Sequence, residues 1–148
     1  MPIVPHLGDS QAEIFDRDGF LIVNGLYDGE DMVGWKKAVI GIMREEGSLD
    51  NLPSGVRVWM LDELHPFFRE RMKDPCVIDV LRRIVGPDLE FLSVKAVYKN
   101  RSMTFESPWH QDWYYWRGAS KISIWIALDD ETSENGCLKM IPGSHKKR

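Results

Sequence analysis

The residues best suited to chemistry lie in Pro108-Trp109-His110-Gln111-Asp112. This stretch holds the only His-x-carboxylate pair in the chain, and it sits among Trp109, Trp113, Tyr114, Tyr115 and Trp116. On a β-strand, residues i and i+2 point the same way. Read as a strand, 109–115 sends His110 and Asp112 to one side and Gln111 to the other. An imidazole nitrogen and a carboxylate oxygen converging on one point make two legs of a metal site. One further His would complete the 2-His-1-carboxylate face that suits non-haem Fe(II). The same residues also read as a surface His–Asp pair on an aromatic strand, and local chemistry weighs the two readings equally. The Trp and Tyr side chains suit a ligand pocket, a core or an oligomer surface.

Such a pair needs a scaffold, and the pattern before it is mainly helical. Ser10-Gln-Ala-Glu13 is a capping box that opens a short helix, stopped at Gly19. Phe20-Leu-Ile-Val23 reads as a buried strand before the turn Asn24-Gly25. Asp28 to Asp31 puts acid at a helix N-terminus. Met32, Trp35, Val39, Ile42 and Met43 follow at helical spacing, and Gly47 ends the helix. Residues 48–57 read as a loop and 56–61 as a short strand. His65 precedes a proline and lies just outside a short helix at 67–72, as a packing residue. Asp74-Pro75 starts the next helix, which Gly86 closes.

The period then changes to two. Leu92, Val94, Ala96 and Tyr98 share one face of a strand within 89–99, with Lys95 on the other. Lys121 to Leu128 alternates most clearly of all: Ile122, Ile124, Ile126 and Leu128 against Ser123, Trp125 and Ala127. Cys137 to Ile141 is a further strand, and Pro142-Gly-Ser-His145 a turn. The expected organisation is a single α+β domain over 1–148, helical over 1–86 and stranded over 87–148.

The totals narrow the classes. A chain of 148 residues, 43% hydrophobic and 28% charged, has enough apolar material for one core. Its net charge of −4 argues against nucleic acid or an anionic membrane as partner. No apolar run approaches a membrane span. Met1 to Pro5 has neither the basic n-region nor the h-region of a secretory signal, so the cytoplasm is the expected location. Cys76 and Cys137 read as small buried residues in a reducing compartment.

Taken together, Phe15-Asp-Arg-Asp-Gly-Phe20, Trp109-His-Gln-Asp112, Ile124-Trp-Ile-Ala-Leu128, Asn135-Gly-Cys-Leu138 and Ile141-Pro-Gly-Ser-His145 resemble the phytanoyl-CoA dioxygenase family. The resemblance implies Fe(II)- and 2-oxoglutarate-dependent oxygenase chemistry. It implies a double-stranded β-helix (jelly roll) wrapped by N-terminal helices. It implies His110 and Asp112 as two iron ligands, with O2 and a small organic molecule as the other reactants. By position, Ser123 matches a hydroxyl that contacts the cosubstrate in the ectoine hydroxylase branch of the family. Lys95 falls where that branch has a basic residue, and Trp116 where it has a Trp after the iron motif.

The family's second iron-binding His and its oxoglutarate-binding Arg follow the Pro-Gly-Ser-His turn, on later strands. Neither has a counterpart in this sequence. His145 matches the turn His, and Arg148 is terminal. The last barrel strands are absent too, so unpaired strand edges, and self-association through them, are expected. Three readings follow: a piece of a longer oxygenase, a short form completed by another chain, or an inactive relative serving as a binding or assembly module.

Overall fold

A computed structural model describes residues 9–47, 55–98, 107–115 and 121–147. Helix α1 spans Asp9–Asp18 and α2 spans Gly29–Glu45. The Asp28 carboxylate caps α2, accepting the Asp31 N–H at 2.8 Å. That bond satisfies one of the donors that a helix start leaves open. Trp35, Val39, Ile42 and Met43 are the buried face of α2, as their spacing predicts. The remaining helices are α3, Pro66–Arg71, and α4, Pro75–Val85. His65 caps α3 through Nδ1, which accepts the Phe67 N–H at 3.1 Å. Asp74 caps α4 by accepting the Cys76 N–H at 2.9 Å, and its other oxygen accepts the Tyr27 hydroxyl at 3.0 Å. Desolvation, reinforced by that bond to Asp74, holds the Tyr27 hydroxyl well above its ordinary pKa.

Strands β1, Val56–Met60, and β2, Ser93–Val97, form a two-stranded antiparallel sheet with Trp59 opposite Val94 and Val58 opposite Lys95. Val39, Ile42 and Met43 of α2 meet Trp59, Leu64 and Phe68 in the core, with Val94, Ala96 and Tyr98 packed against it. Lys95 and Val97 lie on the exposed parity. Trp59 is fully buried and donates Nε1–H to Glu46 Oε1 at 2.8 Å. Arg57 Nε reaches the other Glu46 oxygen at 2.9 Å. Cys76 is buried and Cys137 half-buried, both as free thiols.

The α+β class stands, but four expected strands differ. Phe20–Val23 joins no ladder among the described residues. Residues 109–115 contain the short 3-10 helix Asp112–Tyr115. Neither 121–128 nor 137–141 is paired among the described residues. The reason is physical: alternation says which side chains share a face, whereas a ladder needs a second strand at about 4.8 Å. Segment 121–128 still sends Leu128 to the core.

Candidate metal centre

His110 and Asp112 come together. Nε2 of the imidazole stands 3.2 Å from Oδ1 of the carboxylate, and both side chains are 47% exposed. The local route differs from the expected strand, because Asp112 opens the 3-10 helix. On its other edge, the His110 ring meets the Pro108 carbonyl, with Nδ1 2.7 Å from the oxygen. A carbonyl oxygen can only accept, so Nδ1 carries a hydrogen. In the neutral ring, Nε2 is then a bare lone pair aimed at a carboxylate. That lone pair and the carboxylate oxygen are two donors that one metal ion, set off the line between them, can share. Donors about 2.1 Å from one transition-metal ion and at right angles to each other stand about 3.0 Å apart. The observed pair fits that spacing. Its Nδ1–H···O=C contact is the usual outer support of a metal-binding His. Tyr115 packs edge-on against the imidazole, with ring centroids 6.5 Å apart.

Gln111, between the two, turns elsewhere. Its Nε2 donates to the carbonyl of Ser144 at 2.7 Å and to that of Lys147 at 2.9 Å. These carbonyls belong to the 3-10 turn Ser144–Lys146 and the residue that caps it. The same turn closes the C-terminus of α1. Gly143 N–H donates to Asp18 O at 2.9 Å, His145 Nε2–H to Asp16 O at 3.1 Å, and Gly19 N–H to Phe15 O at 2.8 Å. Carbonyls left open at a helix end thus find partners. Arg17, bonded through Nε and Nη2 at 2.8 and 2.7 Å, holds the Asp18 carboxyl below its usual range, and His145 and Lys146 add to that effect. Two stretches that carry the family resemblance, 15–20 and 141–145, are therefore one interlocked unit. Sequence reasoning missed the Gln111 bridge; the available signal was a polar residue opposite the candidate ligands.

Lys95 is exposed on β2, and Ser123 is exposed within 121–128. Among the described residues, neither shares a hydrogen bond or ion pair with His110 or Asp112. Trp116 and Arg148 lie outside the described residues. His145 is engaged at Asp16 and Gly19. Among the described residues, no three His, Cys, Asp or Glu side chains gather as a metal cluster. Nor is any described helix long and apolar enough to cross a membrane.

Known proteins resemble the chain along nearly its whole length. Ectoine dioxygenase from Bordetella parapertussis is 26% identical over 95% of this chain and 50% of its own length. L-proline trans-4-hydroxylase from Streptomyces griseoviridis is 30% identical over 88% of this chain and 52% of its own. Ectoine dioxygenase from Streptomyces coelicolor is 28% identical over 94% and 50%. The chain thus spans about half the length of the curated relatives it matches. No solved structure matches it. The sequence profile of the family described as phytanoyl-CoA dioxygenase matches residues 15–148, and that extent decides membership: the chain belongs to the phytanoyl-CoA dioxygenase family.

Proposed function

We propose that this chain contributes His110 and Asp112 as iron ligands to an Fe(II)- and 2-oxoglutarate-dependent dioxygenase. The reaction converts 2-oxoglutarate, O2 and a substrate C–H into succinate, carbon dioxide and a substrate C–OH. The observation that carries the reading is the His110–Asp112 pair, 3.2 Å apart, with the far ring nitrogen tied to Pro108. Membership of the family and relatives named as dioxygenases and a hydroxylase support it. On this reading the complete fold is a jelly roll, with the alternating 121–128 stretch among its strands.

His110 and Asp112 would hold Fe(II), which when bound would supply O2 activation. The chain's own residues do the rest. Pro108 fixes the His110 tautomer, so that Nε2 is a donor without a proton. Asp112 brings one negative charge, which offsets part of the cation's. Lys95, Ser123 and Trp116 are our assignments for contacts to 2-oxoglutarate, through charge, hydroxyl and aromatic surface respectively. We assign the remaining protein ligand and the arginine for the far carboxylate to no residue of this sequence. Ectoine and L-proline, named in the relatives, are the first substrates to try.

The test is succinate release with Fe(II), 2-oxoglutarate and O2, for a full-length protein that carries this chain and for its His110→Ala variant. Succinate from the first and none from the second is expected. Equal release from both overturns the assignment of His110, and none from either overturns the dioxygenase reading.

A further inference from the structure

We propose that Gln111 is a positioning residue for the metal ligands, holding His110 and Asp112 in register by anchoring the peptide between them to the Ser144–Lys147 turn. This rests on the reading of His110 and Asp112 as ligands. Gln111 occupies the one position from which a single anchor restrains both. Its side chain donates to two carbonyls at 2.7 and 2.9 Å. Its own carbonyl accepts the Tyr114 N–H at 3.4 Å, at the start of the turn that Asp112 opens. The anchor is firm because the accepting turn is itself held by α1, through Gly143 to Asp18 and His145 to Asp16. Both ligand side chains are half-exposed, and the contacts of His110 with Pro108 and Tyr115 fix its ring without tying it to Asp112. Their separation depends instead on this backbone restraint. The bridge needs a donor: a Glu here would face two carbonyls with acceptors alone. Outer supports of metal ligands typically change metal affinity by about 10–100-fold when removed.

The test is Co(II) titration of the full chain, followed by its visible absorption bands, which report ligand geometry. The variants are Gln111→Met, close in shape but without a donor, Gln111→Lys, which restores donors, and His110→Ala. Far-UV circular dichroism monitors the fold. We expect Gln111→Met to weaken Co(II) binding about 10–100-fold with altered bands and an unchanged fold. Gln111→Lys should recover most of the affinity. Wild-type binding and bands in Gln111→Met, with binding lost in His110→Ala, overturn the positioning role and leave the ligand reading intact. Wild-type binding in His110→Ala overturns both. Loss of fold in Gln111→Met, or equal losses in Gln111→Met and Gln111→Lys, also overturn the proposal, the first by assigning Gln111 to folding.

Discussion

Gly19 and His145 fit together with no room for a methyl group: a Cβ on Gly19 would lie 2.2 Å from His145 Nδ1. Gly19 also has φ +82, which a side chain disfavours. Both effects point the same way. Gly19→Ala should destabilise the chain by about 2–4 kcal/mol, combining the left-handed backbone cost and local overpacking. Urea denaturation checks this. His145→Ala should relieve the steric part, so the double variant should lose less than the two single losses added together. A coupling of about 0.5–3 kcal/mol is the expected range for residues in contact. Strict additivity would mean that the two do not meet.

Glu46 links the α2 end to β1 by accepting from Trp59 Nε1 and Arg57 Nε. Partial burial works to raise its carboxyl, but the Trp59 and Arg57 bonds outweigh it and hold the group below the ordinary carboxylate range. A depressed folded value stabilises the fold above the unfolded pKa. That contribution is lost as pH falls through the folded value. Glu46→Gln should therefore flatten the acid side of the stability profile, measured as urea midpoint against pH. Glu46→Ala should cost more at neutral pH, about 1–3 kcal/mol, because the buried Trp59 N–H loses its acceptor.

Phe68 tests the core. It is 3% exposed and packs on Trp59 with ring centroids 5.2 Å apart. Phe68→Ala should cost about 3–5 kcal/mol through lost burial and a residual cavity. Phe68→Leu should cost less, since it keeps most of the volume. Thermal unfolding of the two variants separates these outcomes. Similar losses for both would place the energy of Phe68 outside packing.

Local physics was readable in the sequence, and non-local pairing was not. Asp74 caps the helix it was expected to cap, and the acid expected at the start of α2 includes its cap, Asp28, because helix starts involve neighbours only. The parity of Val94, Ala96 and Tyr98 holds for the same reason, whereas Leu92, expected on that face, lies before β2 begins and is exposed while Phe91 packs on the core. The partner of β2 is β1, a pairing that no local pattern announces. For 109–115, aromatic and β-like composition suggested a strand where a 3-10 helix forms. His110 and Asp112 still meet, so their proximity was legible while the backbone beneath it was misread. The Gln111 bridge needed the folded chain, since its acceptors are main-chain carbonyls, which any sequence would supply.

The His110 tautomer gives a prediction that does not depend on turnover. Pro108 can only accept, so the neutral ring should carry its proton on Nδ1 and leave Nε2 bare. Long-range 15N–1H correlation of the metal-free chain, at a pH where the ring is neutral, distinguishes the two nitrogens. Zn(II), a diamagnetic ion that binds the same donor types, should then move the Nε2 resonance and leave the Nδ1 proton in place. Asp112→Asn should weaken this response without changing the tautomer, because the carboxylate supplies charge to the cation while Pro108 supplies the acceptor. A proton on Nε2 in the neutral ring would refute the arrangement: Nε2 would then donate to Asp112 Oδ1, and the pair would be a surface hydrogen bond, with no lone pair free for a metal.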